Sequence, residues 1–406
     1  MRIDQSVVSS LSLSGLAATF VGNGIGRFAY IALMPVLIQQ AWFTRTEAAS
    51  LGATTLLGYM LGVPLTTGLL TRTSALFMMR AALLTCSMSY LACAWQGGFI
   101  WFFVWRLLAG MGGAVAMVLA PNIVLSRTPA SQRGRVSGIV FSGVGFGVCA
   151  SGTVVPLFVG FGLGVTWFVL GGICLTLTVV TWTHWQENIP GTGNPLATVQ
   201  QDEKSLMPID QAMSVALLLV AYALNAVGYL PHTLFWVDYI VRELHQSVAV
   251  GGFLWAAFGI GAASGPFITG AMADRFGFSK TIAGGFLLKA FGVALPLWDH
   301  STVALLASSV LVGMLTPGIA AIVSGYTMAI VGVPGHHRAW GWMTGSFAAS
   351  QVVTGFLMVF IMASRESYQI VFSVSAWALL GASACILAIR MQSRSPLPET
   401  RVRRIM

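Results

Sequence analysis

The sequence predicts an all-α integral membrane protein of twelve transmembrane helices in two pseudo-symmetric six-helix bundles. Three observations predict it. First, 56% of residues are hydrophobic and only 8% are charged, whereas a soluble domain carries roughly 25% charged residues. Second, 406 residues at a mean hydropathy of +0.81 leave room for about twelve spans of roughly 20 to 25 residues with short connections. Third, the two halves of the chain match each other at a nearly constant offset. Together these exclude a soluble enzyme, a secreted disulfide scaffold and a disordered chain.

Apolar segments separated by short polar clusters place the first six helices at 12–40, 47–71, 74–95, 99–126, 132–160 and 163–185. The N-terminus imitates a signal peptide but lacks a small-residue cleavage site, so the first segment reads as a retained helix. The one long polar stretch, 186–210, holds Pro190, Gly191, Gly193 and Pro195 and then Asp202, Glu203 and Lys204. This composition suits a flexible tether. A second six helices follow at 211–240, 246–272, 279–298, 301–331, 338–363 and 367–391, and a basic tail closes the chain. The expected organisation is therefore an N-terminal bundle (1–185), a cytoplasmic linker (186–210), a C-terminal bundle (211–391) and a cytoplasmic tail (392–406). Cys86, Cys93, Cys149, Cys174 and Cys385 all lie in apolar runs without metal-ligand spacing and read as small buried hydrophobes.

An offset of 202 pairs Asn23 with Asn225, Gly26 with Gly228, Pro64 with Pro266 and Gly68 with Gly270. An offset of 203 pairs Gly110 with Gly313, Arg135 with Arg338 and Gly138 with Gly341. Anchors that keep one register across five helices indicate two parallel repeats, as in one large group of secondary transporters. Of the 21 Lys and Arg residues, fifteen fall on the side that holds both termini, while Arg45, Arg242 and Arg365 fall opposite. That asymmetry predicts cytoplasmic termini. The net charge of +9 is thus a topology signal rather than a nucleic-acid signal, and Arg401, Arg403 and Arg404 are placed to touch anionic lipid.

Three motifs carry a resemblance. Gly270-Ala-Met-Ala-Asp274-Arg275-Phe-Gly277-Phe-Ser-Lys280 follows the eighth segment, Arg106-Leu-Leu-Ala-Gly110-Met-Gly112-Gly113-Ala114 lies in the fourth, and Arg133-Gly134-Arg135-Val-Ser-Gly138 opens the fifth. They resemble the G-x-x-x-D-R-x-G-x-x-K loop, the R-x-x-x-G-x-G-x-A motif and the basic fifth-helix entry of the major facilitator superfamily. In the loop, Gly277 permits a tight turn, Asp274 can meet a helix N-terminus or an arginine, and the basic residues hold the cytoplasmic face. Two departures stand out. Arg72 replaces the acidic residue in the first-half loop, and Ser151-Gly152 replaces the Gly-Pro of the superfamily's drug-exporter motif. Gly22-Asn23-Gly24-Ile25-Gly26-Arg27-Phe28-Ala29-Tyr30 further resembles the bacterial YbfB/YjiJ-type branch, whose members look like inner-membrane permeases. The resemblance implies the major facilitator fold, a monomer, alternating access about a midplane site, and no enzymatic activity, cofactor or metal.

Arg27, Arg106 and Lys289 lie inside spans, where each costs about 2.5 to 3.5 kcal/mol on insertion scales. No Asp or Glu stands at mid-depth, because Asp238 lies near the outer end of the seventh helix. An electropositive cavity suits a small anionic solute: a carboxylate metabolite, an amphiphilic drug or a siderophore. Arg27 is the foremost candidate contact. Arg106 is also a structural or proton-handling candidate, and Lys289 can instead snorkel from a peripheral ninth helix. Asn23 and Asn225, at matching repeat positions, can bind substrate or each other. Tyr30 and Tyr229, with Phe28, Tyr222 and Trp236, are candidate lining residues. His232, which can titrate near neutral pH, and Asp238 are candidates for proton coupling. His336 and His337 read as solvated loop residues. An exporter of neutral or cationic drugs is the alternative. A channel, or a multispan enzyme or sensor, fits less well, because no soluble output domain or clustered catalytic group is visible.

Overall fold

The computed structural model describes residues 5–70, 72–129, 132–185, 209–365 and 367–392. The tether (except Ile209 and Asp210), the tail beyond Gln392 and the basic residues Arg2, Lys204, Arg394, Arg401, Arg403 and Arg404 lie outside them. The described residues form twelve helices long and apolar enough to cross a membrane. The first six are α1 (Ser10–Gln39), α2 (Arg45–Thr66), α3 (Ala75–Ala92), α4 (Gly98–Ser126), α5 (Arg135–Phe161) and α6 (Leu163–His184). The second six are α7 (Gln211–Glu243), α8 (Val248–Phe276), α9 (Phe278–Leu297), α10 (Thr302–Gly332), α11 (Arg338–Arg365) and α12 (Tyr368–Met391).

Local chemistry sets the helix starts. Thr44 and Glu47 form a reciprocal capping box at α2, in which the Glu47 N–H donates to Thr44 Oγ1 (3.3 Å) and the Thr44 N–H donates to Glu47 Oε2 (2.9 Å). Ser74 and Ser247 cap α3 and α8 through the backbone N–H groups of Phe77 and Val250, both at 3.2 Å. Gly277, at φ +83°, ends α8 and begins α9 in one residue, a conformation that favours glycine. Gly332, at φ +74°, is the non-helical residue at the kink between α10 and α11.

The pairing of helices repeats in the two halves. α2 packs on α4 as α8 packs on α10, and α3 packs on α6 as α9 packs on α12. Between the halves, α5 meets α8 and α11 meets α2, the two contacts exchanged by the internal two-fold. Lipid supplies no hydrophobic drive for helices to associate, so close packing and interhelical hydrogen bonds must hold them. Glycines permit that approach. A Cβ on Gly145 would lie 2.5 Å from the Gly259 carbonyl oxygen, and one on Gly152 would lie 2.5 Å from that of Gly252. Ser151 has a definite role here, because Trp255 Nε1 donates to its Oγ across the α5–α8 contact at 3.1 Å.

The Arg106 motif works the same way within the first bundle. Its glycines face three different helices: Cβ atoms on Gly110, Gly112 and Gly113 would lie 2.2, 2.9 and 2.6 Å from the carbonyl oxygens of Thr55, Ala82 and Gly22. One helix is thereby packed against α2, α3 and α1 at backbone distance.

α1 and α7 are irregular. α1 passes through a π-helical segment, Phe20–Ile25, and a turn before the helix resumes at Ala29–Gln39. α7 contains π segments at Pro231–Phe235 and Tyr239–Glu243. Residues 21–37 and 228–241 are buried without interruption, and the later half of α1 packs against Trp236–Asp238 on the side away from the termini.

Gly110→Val is expected to cost about 1 to 3 kcal/mol by overpacking, read as a lower unfolding temperature in detergent. An unchanged unfolding temperature would contradict the backbone-distance packing of α4.

Candidate functional site

The break in α1 loosens the helical ladder at membrane depth, where freed carbonyls need internal partners. Arg106, fully buried, donates from Nη2 to the Gly26 carbonyl (3.2 Å) and from Nε to Thr55 Oγ1 (3.1 Å). Tyr90 Oη donates to the Ile25 carbonyl at 2.5 Å, and Asn23 Nδ2 donates to the Gly113 carbonyl at 2.9 Å. The Arg106 guanidinium also lies over the rings of Tyr30 (4.8 Å) and Tyr90 (5.4 Å), while Tyr30 Oη donates to the Ala48 carbonyl. Asn23, Tyr30 and Arg106 are therefore joined into ties within the first bundle.

Arg27 points the other way, to the seam between bundles. Its Nη2 donates to Tyr229 Oη on α7 (3.2 Å) and to Gln351 Oε1 on α11 (3.1 Å). Its guanidinium carbon lies 4.8 Å from the Phe28 ring centre and 4.9 Å from that of Tyr59 on α2. Two donors in this cluster, Arg27 Nε and Gln351 Nε2, are buried without an acceptor.

Lys289 is fully buried rather than snorkelling. It donates to Asn225 Oδ1 (2.9 Å) and stands 4.9 Å from the Tyr229 ring centre. Asn23 and Asn225 thus have separate partners and do not pair with each other. Tyr229 stacks on Phe347 (5.7 Å, 11°), and Phe347 stacks on Tyr222 (4.6 Å, 23°). Trp340 and His336 continue these ring contacts toward the side that holds the termini. Among the described residues, no carboxylate lies within ion-pair distance of Arg27, Arg106 or Lys289, and no group of metal-ligating residues is found.

His232 and Asp238 lie farther along α7. His232 is fully buried, with Nε2 2.8 Å from Ser308 Oγ and its ring stacked on Trp236 at 4.2 Å. Asp238 accepts a hydrogen bond from Tyr368 Oη and pairs with Arg242 at 3.5 Å. The stretch expected as a loop is instead helical on both sides of Gly277: Asp274 and Arg275 lie exposed in the last turn of α8, Lys280 lies exposed in the first turn of α9, and Arg275 lies over the ring of Phe276 (5.3 Å). Gly270 is half-buried in the last turns of α8.

Of the sequence-derived candidates, the fold joins Arg27 to Tyr229, Tyr229 to Lys289, and Lys289 to Asn225. It adds Gln351 and Tyr59, which the sequence reading missed. Gln351 carried a usable signal, as the one amide side chain of α11. Tyr59 carried none that distinguishes it from other membrane aromatics.

The family described as "Uncharacterised MFS-type transporter YbfB" matches residues 19–387. The chain belongs to this family. It is a family of transporters, not enzymes, of the major facilitator superfamily. The chain is 24% identical over 214 residues to the class B tetracycline resistance protein of Escherichia coli, covering 51% of this chain and 52% of that protein. It is 28% identical over 235 residues to the class G tetracycline resistance protein of Vibrio anguillarum, covering 55% of this chain and 58% of that protein. The chain thus spans a little over half the length of these curated relatives. The fold is similar to the xylose transporter XylE of E. coli in a partially occluded inward open conformation. That likeness has a TM-score of 0.72 at 14% identity over 95% of this chain and 98% of XylE.

Arg106→Met is expected to leave the Gly26 carbonyl and Thr55 without their donor, at about 1 to 3 kcal/mol for each unsatisfied group. Thermal unfolding in detergent reads this loss. Wild-type stability in a well-expressed variant would remove Arg106 from its structural role.

Proposed function

We propose that this transporter moves a small organic anion, a carboxylate metabolite, an amphiphilic drug or a siderophore, by alternating access across the bacterial inner membrane. It works as a monomer, with lipid around its apolar faces. The supporting observation is Arg27, a permanent cation buried between the bundles. Among the described residues its positive charge meets aromatic faces, a phenol and an amide but no carboxylate, and its Nε lacks an acceptor. Aromatic faces and neutral oxygens solvate a cation without cancelling its charge, so an anion gains the full attraction of the site.

Proton coupling is assigned to α7, through Asp238 or His232. Both are buried on the half of α7 that closes against α1, so opening that side would change their surroundings. A second reading, export of a neutral or cationic drug, draws on the tetracycline-resistance relatives and on the stacked rings from Tyr229 to Trp340.

In purified protein, an organic anion at 100 times its dissociation constant is expected to add about 2.7 kcal/mol of stability, and Arg27→Gln is expected to abolish the effect. Stabilisation by neutral or cationic compounds alone, unchanged in Arg27→Gln, would establish the second reading instead. In proteoliposomes, Asp238→Asn or His232→Gln is expected to remove pH-gradient-driven accumulation while leaving exchange intact. Accumulation by both variants at the wild-type level would remove the coupling assignment.

The chain ends are assigned to the cytoplasm. Among the described residues, Arg72, Arg80, Arg127, Arg133, Arg135, Arg275, Lys280, Arg338 and Arg390 lie on their side, against Arg45, Arg242 and Arg365 opposite. In a variant lacking the native cysteines, Ser301→Cys is expected to react with an impermeant maleimide in intact spheroplasts, and Lys280→Cys only after lysis. The opposite pattern would invert the topology.

A further inference from the structure

Gln351 stands in an unusual position for a neutral side chain. It comes from α11 in the second bundle, is 1% exposed, and gives its amide oxygen to Arg27 of the first bundle. A guanidinium can only donate, so the Gln351 oxygen faces Arg27 and its Nε2 is turned elsewhere, where it finds no acceptor. Arg27 Nε is likewise buried without an acceptor. Each side of this contact between the bundles thus carries one N–H donor that lacks an oxygen among the described residues.

The geometry of the guanidinium says what would satisfy them. Nε and Nη2 lie on one edge and form a fork that matches the two oxygens of a carboxylate. On Arg27 the Nε half of that fork is unused, while Nη2 is shared between Tyr229 and Gln351. Of those two partners, Tyr229 is held by stacking on Phe347 and by Lys289 near its ring. Gln351 is the one with an unsatisfied donor to gain by moving.

We infer that Gln351 is a specificity-determining residue that holds, at Arg27, the place a substrate carboxylate takes. The inference rests on the anion reading above and deepens it. The arriving carboxylate takes the Nε–Nη2 fork, displaces the Gln351 oxygen, and accepts from Gln351 Nε2. A neutral amide–guanidinium contact between the bundles is replaced by a carboxylate that touches both. The solute is thereby selected for a carboxylate whose oxygens reach α1 and α11 together, and its binding couples the two halves.

Gln351→Glu tests this by supplying the carboxylate within the chain. The variant is expected to unfold several degrees higher than wild type without added solute. It is also expected to lose the thermal shift produced by whichever of benzoate, succinate or citrate stabilises the wild-type protein. Gln351→Ala is expected to keep that shift with affinity weaker by about tenfold, the loss of one good hydrogen bond. A Gln351→Glu protein that responds to the same carboxylate as wild type overturns the inference. If that variant fails to fold, wild-type affinity in Gln351→Ala overturns it instead. A response lost in Arg27→Gln but intact in both Gln351 variants leaves the anion reading standing and removes only this one. Wild-type protein that no carboxylate stabilises overturns both.

Discussion

Positive charge placed in a membrane interior without a carboxylate to neutralise it is the constraint around which the centre of this protein is organised. Arg27, Arg106 and Lys289 are each solvated by oxygens and by the negative faces of aromatic rings: Phe28 and Tyr59, Tyr30 and Tyr90, and Tyr229. Such partners lower the cost of burying a cation but leave its charge in place. The same residue chemistry then serves two purposes, according to what each guanidinium reaches. Arg106 gives Nε and Nη2 to Thr55 and to the broken stretch of α1 and becomes part of the scaffold, although its Nη1 finds no acceptor among the described residues. Arg27 instead reaches across the seam to α7 and α11.

The two arginines depend on one another through the backbone of α1. The π segment and turn at 20–28 free carbonyls at Ile25 and Gly26, which Tyr90 and Arg106 satisfy. Arg27 sits in the turn of this break, which is held from α3 and α4, so the direction of Arg27 is tied to packing inside the first bundle. Close packing of α4 through Gly110, Gly112 and Gly113 is in turn what brings Arg106 within reach of both Thr55 and Gly26. The motif that resembles a superfamily signature is therefore a local solution to a local problem, namely a bent first helix in a solvent that offers no hydrogen bonds.

The second bundle meets the equivalent position differently. At the offset of 203, Arg106 corresponds to Ser309, which accepts from Trp236 Nε1 at 2.9 Å, next to the Ser308–His232 contact. A neutral network there replaces a cationic one. The repeat conserves the helix pairing but not the chemistry of its ties, so the internal two-fold is a property of the backbone and the site at the seam is asymmetric. Arg27 comes from one side of that seam, and Tyr229 and Gln351 come from the other.

Composition, span length, the internal offset and the short motifs sufficed to determine the twelve helices, their two-fold repetition and the family, because lipid imposes long apolar segments and allows few charges. The same composition hid the faces of the helices. α1 is apolar on nearly every side, so no periodicity distinguishes the direction of Arg27 from that of its neighbours, and the site had to be read from charge alone. Only the tertiary structure could turn Lys289 inward onto Asn225, separate Arg106 from Arg27, and bring Gln351 from 324 positions away to within 3.1 Å of Arg27. Those outcomes depend on helix rotation and on which backbones approach through glycine. Both are fixed by contacts between helices and leave no pattern along any one of them.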